Sequence, residues 1–174
     1  MADGVLIRAA VPADAEGLAR IAADESVFGN LLRLPHSTAA QWRSWVESVS
    51  MDELLLVAER DGELLGFAGL MAAAKSPRRR HARTLLIAVA QPAQGQGIGS
   101  LFMQTLIDAA DRWLAVLRIE LGVFAKNAPA YRLYQKFGFV EEGVQRGFAF
   151  RDGSYQDVIL MARLSPGLLP QQIT

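Results

Sequence analysis

A glycine-rich loop between an apolar segment and an amphipathic segment constrains this chain more than any other feature. The apolar run covers residues 85–89, and the loop covers residues 94–100, of which three are glycine. Glycine carries no side chain, so the N–H groups of the loop backbone can approach a ligand closely. The start of the following helix adds unpaired N–H groups and the positive end of its dipole. The sequence therefore predicts a strand–loop–helix unit that binds an anion, most often a phosphate or pyrophosphate.

The composition places the chain in an ordinary globular class. It has 174 residues, 51% of them hydrophobic and 21% charged, which predicts one domain over residues 4–163 and a loose tail over residues 164–174. Lys plus Arg and Asp plus Glu are both 18, so we expect no nucleic-acid partner and no membrane partner. The absence of cysteine excludes disulfides and thiolate metal sites, and we predict no metal. The start of the chain does not resemble a signal peptide, which makes the cytoplasm the expected compartment.

Local patterns predict the order β-α-α-β-β-β-α-β-α-β-β. Asp61-Gly62 between two apolar runs indicates a hairpin, and Thr38 with Gln41 has the spacing of a capping box. The second helix is predicted to run to about Ser50, and the helix after the loop is predicted to place Trp113 on its apolar face. Because hairpins and crossovers are mixed, the fold class is α/β in the α+β sense. We expect a mixed, mostly antiparallel sheet of six to seven strands with about four helices on both faces.

The glycine loop taken by itself leaves open a dinucleotide-binding loop and a plain turn. Gly95-x-Gly97-x-x-Ser100 is a near miss to the dinucleotide-binding pattern, and Glu120 has roughly the spacing of a ribose-binding acid. Glu120 lies in the middle of a predicted strand, however, and the loop is not after the first strand. A phosphate loop ending in Gly-Lys-Ser/Thr is absent. A plain turn is the remaining alternative, although three glycines would cost backbone entropy without a purpose there.

A second motif, at residues 127–139, indicates which kind of ligand the loop binds. Its residues follow the pattern Asn-x-x-Ala-x-x-Leu-Tyr-x-Lys-x-Gly-Phe, and the loop itself follows Gln-x-x-Gly-x-Gly. With these two signatures about 30 residues apart, the chain resembles the GNAT superfamily of acetyl-CoA-dependent N-acetyltransferases. The resemblance covers about residues 4–163 and implies the GNAT fold. It also implies acetyl-CoA as co-substrate and a small-molecule amine as acceptor, with a homodimer as a candidate assembly.

The resemblance assigns roles in binding acetyl-CoA. Backbone groups of the strand before the loop would bind the pantetheine arm and the thioester carbonyl, and the loop amides would bind the pyrophosphate. The residues implied are Ile87, Ala88, Val89, Gln94, Gly95, Gln96, Gly97, Ile98, Gly99, Ser100 and Asn127. Asn127 can also cap the helix that follows it.

The resemblance implies that the Tyr134 hydroxyl is the general acid for the leaving sulfur, whereas helical spacing alone would place Tyr134 in a core. The general base is less determined, because many family members carry an acid near Thr84 and this chain does not. Glu120 is our candidate base, with His36 and His81 as alternatives. A salt bridge between Glu120 and Arg118 or another cation is an equal alternative, since an unpaired buried carboxylate is costly.

Further segments resemble the branch of the family that acetylates free L-amino acids: residues 34–37, 118–121, 127–130 and 151–163. This predicts the α-amine of a free L-amino acid as the acceptor, with Phe28, Leu32 and His36 as substrate residues. A polyamine, an antibiotic amine and a protein N-terminus are the alternatives. A CoA-binding module without turnover is a further alternative, against which Tyr134 counts. A carboxylate on the acceptor needs a cation, and the candidates are Arg33, His36 and residues 78–80. Residues 77–81 form a basic segment that is otherwise interpreted as a solvated loop. Trp42 and Trp45 are interpreted as core residues.

Overall fold

The structure is a computed structural model in which residues 4–34 and 36–167 are described. Within these residues, seven strands and five α-helices follow one another in the predicted order, with one short helix added. None of the described helices combines the length and the apolar character that crossing a bilayer requires. The α/β class and the mixed sheet are thus confirmed.

The strands form a mixed sheet with the order β1-β2-β3-β4-β5-β7-β6. Their bounds are β1 Leu6–Ala9, β2 Leu54–Arg60, β3 Glu63–Ala72, β4 Ala82–Val89, β5 Arg118–Phe124, β6 Val140–Arg151 and β7 Ser154–Leu164. β4 and β5 run parallel, and their register pairs Ala82 with Arg118 and Thr84 with Glu120. The pairs β1–β2, β2–β3, β5–β7 and β6–β7 are antiparallel. A parallel pair needs a crossover, and the helix after the glycine loop supplies it.

The described residues form five α-helices. Their bounds are α1 Ala15–Ala23, α2 Glu25–Phe28, α3 Ala39–Glu47, α4 Ile98–Arg112 and α5 Ala128–Lys136. Of these, α3 and α5 begin directly after capping residues that the sequence predicts. Thr38 caps α3, and its hydroxyl accepts from the N–H of Gln41 while the Gln41 side chain accepts from the N–H of Thr38. This is the predicted capping box, which satisfies two N–H groups that the helix itself cannot.

The described chain forms two compact units, the first made of residues 4–71 and 86–104 and the second of residues 72–85 and 105–167. The core of the first unit gathers α1, α3, β2 and β3. Leu18 of α1 and Trp42 of α3 are fully buried, and the Trp42 ring lies 5.2 Å from that of Phe67 in an edge-to-face contact. Trp42 and Trp45 therefore pack in the core as predicted. This core supports the glycine loop, which belongs to the same unit.

The second unit is organised around β5. Ile119, Leu121 and Val123 are buried, whereas the alternate residues Glu120 and Gly122 are not, as the two-residue period of a strand requires. β7 runs beside β5 and buries Val158 and Met161. One side of β5 thus faces a core, and the other side presents Glu120.

Three local predictions differ from the structure. Trp113 follows the end of α4 and is 75% exposed, so it does not belong to the apolar face of that helix. α3 ends at Glu47, where the Ser48 hydroxyl donates to the carbonyl of Trp45 and competes with further helix. α2 was not predicted, and the Asp24 carboxylate caps it. β7 extends through Leu164, and Ser165 is buried with its N–H bound to the Leu117 carbonyl. Residues 168–174 of the predicted tail lie outside the described residues.

Candidate active site

The glycine loop has the backbone geometry that its sequence predicts. Gly95 and Gly97 have φ angles of +74° and +91°, a region that side chains disfavour. A Cβ atom at Gly95 would meet nothing within 4 Å, so the space above the loop is open. α4 begins at Ile98, directly after the loop, and the first amides of an α-helix have no intrahelical partner. This open surface, lined by backbone and ended by a helix N-terminus, fits a pyrophosphate.

The two glutamine side chains of the loop brace its backbone. The Gln94 side-chain amide donates to the Val89 carbonyl at 3.0 Å, and the Gln96 amide donates to the Pro92 carbonyl at 2.9 Å. Arg60 donates to the Gln96 side-chain oxygen at 3.2 Å. Gln94 thus ties the loop to the end of β4, the strand that carries Ile87 and Ala88. The described hydrogen bonds of both glutamine side chains are made with other residues of this chain, and they hold the loop in its conformation.

The second motif forms α5 and its N-terminal cap. The Asn127 side-chain oxygen accepts from the N–H of Ala130 at 3.2 Å, which confirms the predicted cap. Gly138 follows the helix with a φ of +84° and allows the chain to turn into β6. Asn127 and Gly138 therefore have structural roles at the two ends of α5.

Tyr134 lies on α5 in the second unit and is half-buried, with its ring 5.9 Å from that of Phe139. Burial raises the pKa of the Tyr134 hydroxyl to about 12. A hydroxyl with this pKa keeps its proton throughout the neutral range, which is the form that a general acid requires. Within residues 4–34 and 36–167, no side-chain hydrogen bond holds this hydroxyl, so its proton is not committed to another protein group.

Glu120 lies between two guanidinium groups in the second unit. Arg79 Nη2 donates to Oε1 at 2.6 Å, and Arg118 Nε donates to Oε2 at 2.7 Å. Arg118 also donates through both terminal nitrogens to Glu142. These four residues, Arg79, Arg118, Glu120 and Glu142, are called the four-charge cluster below. The salt bridge that the sequence left open as an alternative for Glu120 is therefore present.

The hydrogen bonds within the cluster have electrostatic consequences. Donation from Arg118 lowers the pKa of Glu142, and the two carboxylates raise the pKa of Arg118 against the opposing effect of burial. A carboxylate has about four lone-pair positions, of which the two guanidiniums occupy two on Glu120. Glu120 can therefore receive further donors from a ligand or from water.

A cavity of about 270 Å³ opens over this cluster. The four charged residues line it together with Thr84, Gly122 and Leu160, and Leu121 and Met161, whose side chains are buried in the core, complete the wall. The volume lies just below the range of pockets for drug-sized ligands, so it suits a smaller molecule. The mixture of an apolar wall with charges of both signs is the chemistry of a site for a small polar metabolite.

No sequence pattern predicts a site role for Glu142 or distinguishes Arg79 from its neighbours. Arg118 and Glu120 are two residues apart on one strand and so share a face, a signal that the sequence contains. Arg79 lies 41 positions from Glu120, and Glu142 lies 24 positions from Arg118, and no local pattern predicts such pairs.

The predicted acceptor residues lie in the first unit. Phe28 ends α2 and is half-buried, and Leu32 is 71% exposed. His36 is exposed and has a φ of +67°, a sparsely populated conformation for a residue other than glycine. The Arg33 guanidinium lies 4.3 Å from the Trp42 ring centroid and 4.9 Å from that of Trp45. His81, the other candidate base, is exposed in the second unit.

Comparison with known proteins supports the resemblance. Residues 20–139 match the model of the acetyltransferase (GNAT) family. The chain is 36% identical to the L-amino acid N-acetyltransferase AaaT of Escherichia coli (strain K12), over 92% of this chain and 98% of that protein. A ribosomal-protein-alanine N-acetyltransferase structure from Brucella melitensis is 30% identical with a TM-score of 0.82, over 91% of this chain and 99% of that one. A GNAT superfamily phosphinothricin acetyltransferase from Sinorhizobium meliloti, solved with acetyl-CoA, shares the fold at a TM-score of 0.86 and 18% identity, over 98% and 95% of the two chains.

The fold, the glycine loop and the second motif define an acyltransferase that draws its acyl group from a nucleotide-bearing thioester. The chain belongs to the acetyltransferase (GNAT) family. It is an acetyl-CoA-dependent N-acetyltransferase whose acceptor is an amine, which confirms the class, the co-substrate and the reaction predicted from the two motifs.

Proposed function

We propose that this enzyme acetylates the α-amine of a free L-amino acid. The observation that carries the proposal is the 36% identity, over almost the whole of both chains, to a protein named as an L-amino acid N-acetyltransferase. Substrate specificity depends on the site and not on the fold, so the family alone would not support this choice. The charged cavity over β5 supports it further, because a molecule with both an ammonium and a carboxylate matches charges of both signs.

A protein N-terminus is the second candidate acceptor. The 30% identity to a ribosomal-protein-alanine N-acetyltransferase, again over almost the whole chain, favours it. Such a substrate offers the same α-amine but carries an amide where a free amino acid carries a carboxylate. The two candidates therefore differ in one functional group, which makes them easy to separate in an assay.

We propose that residues 87–89 and 94–100, together with Asn127, bind acetyl-CoA. The thioester supplies the acetyl group. The open space above Gly95, the left-handed backbone of Gly95 and Gly97, and the N-terminus of α4 support the placement of the pyrophosphate. The bond from Gln94 to the Val89 carbonyl supports a role for Gln94 in shaping the loop beside β4.

For catalysis, we propose that Tyr134 is the general acid and Glu120 the general base. The acceptor nitrogen forms a bond to the acetyl carbon, and the bond from that carbon to sulfur breaks. The sulfur leaves with the proton of the Tyr134 hydroxyl, whose pKa of about 12 keeps it protonated before the reaction. The second proton that the nitrogen loses as the amide forms returns to the Tyr134 oxygen. The ammonium of the acceptor loses its proton to Glu120, directly or through a water molecule, at one of the lone-pair positions that the guanidiniums leave open.

Phe28, Leu32 and His36 are proposed to contact the acceptor side chain. The exposure of Leu32 and the left-handed backbone of His36 support a ligand role, because strained backbone in an exposed segment needs a reason. We also propose a single acetyltransferase domain over residues 4–163, since β4 and α4 each contribute residues to both compact units.

The cytoplasm is the proposed compartment, and a homodimer is the proposed assembly. β6 is an edge strand of the sheet and exposes Val140, Val144 and Phe150 by 63%, 51% and 66%. Apolar side chains on an open strand edge favour association with another strand. Light scattering of the wild type and of a Val144→Lys variant would test the dimer, which the substitution should weaken.

The test of the proposed function is an acceptor screen with acetyl-CoA that follows thiol release. We expect free L-amino acids to be better acceptors than their amides, than spermidine and than peptides with a free N-terminus. A higher kcat/KM on a peptide than on every free amino acid would select the second candidate and leave the acetyltransferase assignment in place.

A further inference from the structure

We propose that Arg79 binds the α-carboxylate of the acceptor and so selects free amino acids over other amines. This inference rests on the proposed function and names the residue that produces its specificity. Arg79 ends a short 3-10 turn, Pro77–Arg79, in which its N–H is bound to the Ser76 carbonyl. Proline at the first position and this backbone bond hold the turn in one conformation.

The first argument is the division of hydrogen-bond donors within the four-charge cluster. Arg118 uses Nε on Glu120 and both terminal nitrogens on Glu142, so every nitrogen of its guanidinium is engaged. Arg79 uses Nη2 on Glu120. Its Nε is buried and, among the residues that the structure describes, has no hydrogen-bond partner. Arg79 is thus the guanidinium of the cluster with donors to spare.

The buried Nε of Arg79 has an energetic cost. A buried N–H without an acceptor loses its hydration and gains nothing in return. Nε is inaccessible to solvent in this structure, so a carboxylate in the cavity would reach it together with a terminal nitrogen after a rotation of the Arg79 side chain, in the paired geometry that guanidinium and carboxylate favour. An amide or an amine in the same position offers one acceptor or none. The cavity beside Arg79 is therefore suited to an anion with two oxygens.

The third argument comes from the neighbouring arginines. Arg78 and Arg80 belong to the same loop, but both are exposed and neither lines the cavity. Arg33 in the first unit is the strongest alternative candidate for binding the carboxylate. Its guanidinium lies over two tryptophan rings, and burial lowers its pKa. Its guanidinium faces are used by those rings, whereas Arg79 lies beside Glu120, the group proposed to receive the ammonium.

The binding mode that follows is a zwitterion held at both ends. The carboxylate pairs with Arg79 and the ammonium lies towards Glu120, while carbon atoms of the acceptor contact Leu160, which pairs with Gly122 on the same face of the sheet as Glu120. No bond forms or breaks in this step. The role of Arg79 is to position the amine for the transfer, and it is a specificity residue rather than an acid or a base.

The experiment compares a free amino acid with its amide in the wild type and in Arg79→Met, Arg79→Lys and Arg78→Met. We expect Arg79→Met to lower kcat/KM on the free acid by about 10- to 100-fold, the loss expected for a hydrogen bond to a charged group, and to leave the amide little changed. Arg79→Lys should recover part of the loss, and Arg78→Met should behave as the wild type. The KM for acetyl-CoA and the melting temperature serve as readouts that carboxylate binding does not move.

Each other outcome has a definite meaning. An equal loss on acid and amide would make Arg79 a support for Glu120 and overturn the inference. A collapse of the preference in Arg33→Met but not in Arg79→Met would transfer the role to Arg33 and also overturn it. A wild type that never prefers the free acid would reject the proposed function itself, which is a different failure from an Arg79 variant that keeps the preference.

Discussion

The glycine loop and the four-charge cluster are built in opposite ways. The loop is one continuous segment, and its binding groups are backbone amides made accessible by Gly95 and Gly97. The side chains of the cluster come from a loop, from β5 and from β6. Arg79 and Glu120, which are hydrogen-bonded to each other, lie 41 positions apart in the sequence. A site made of backbone requires a local conformation, whereas a site made of paired side chains requires a fold. The proposed site for the co-substrate is thus a local motif, and the proposed site for the acceptor is a tertiary arrangement.

The largest effect should come from closing the backbone site. Gly97→Asp places a side chain and a negative charge where the pyrophosphate is proposed to bind, so acetyl-CoA should no longer raise the melting temperature. At an acetyl-CoA concentration of about 100 times the Kd, binding should raise the free energy of unfolding of the wild type by about 2.7 kcal/mol. Gly62→Asp, in a hairpin turn with a φ of +81° and open space at Cβ, is the control for strain and should keep the shift. A full shift with Gly97→Asp would mean that the loop does not bind the co-substrate.

Tyr134→Phe should have the next largest effect. The substitution keeps the ring against Phe139 and removes the proton, so we expect kcat to fall by about 10²- to 10⁴-fold, with acetyl-CoA binding little changed. Tyr131→Phe is the matched control, since Tyr131 lies on the same helix and its hydroxyl contacts Glu141. If single-turnover measurements show an unchanged rate of acetyl transfer, Tyr134 serves packing only.

Glu120→Gln should lower activity by about 10²-fold at neutral pH, the lower end of the range for acid–base catalysis. Activity should recover partly at high pH, where the acceptor amine is already neutral. Glu142→Gln is the control, because it also removes a partner of Arg118 but leaves Glu120 in place. A Glu120→Gln profile parallel to that of the wild type would assign Glu120 to structure and make His36 the next residue to test.

The smallest effects should be those of ion pairs that hold each unit together without touching either site. Asp14 is 8% exposed and accepts two bonds from Arg8 in the first unit, and Asp111 accepts two from Arg163 in the second. Asp14→Asn and Asp111→Asn should each lower the free energy of unfolding by about 1–3 kcal/mol in chemical denaturation. Asp108→Asn, which removes the exposed pair with Arg112, should cost less than about 0.5 kcal/mol.

The same pairs predict the direction of the pH dependence. Donation from the partner arginine lowers the pKa of both Asp14 and Asp111 in the folded protein. Their stabilisation is therefore present above the ordinary aspartate pKa of about 3.9 and is lost as the pH falls through the folded values. Wild-type stability should drop below about pH 4, and the drop should be smaller in each Asn variant. Equal acid sensitivity in all variants would contradict this account.

The elements and the backbone site could be predicted from the sequence because their causes are local. The capping box at Thr38, the Asp61-Gly62 turn and the Asn127 cap each depend on residues within a few positions of one another. Trp113 is an exception, because it matched the helical period of α4 but the helix ends at Arg112, one residue before it.

What the sequence determined by itself was the strand–loop–helix unit, the cap of α5, the family and the co-substrate, because each depends on short-range backbone chemistry. The tertiary structure decided which charges meet. Glu120 appeared in the sequence as an isolated carboxylate in an apolar strand, with Arg118 as one of several cations that could pair with it. Only the packing of the strands and the loop shows that Arg79 and Arg118 share it, that Glu142 occupies the other side of Arg118, and that Arg79 keeps a buried donor. Distances between side chains far apart in sequence depend on the whole fold, and no local pattern contains them.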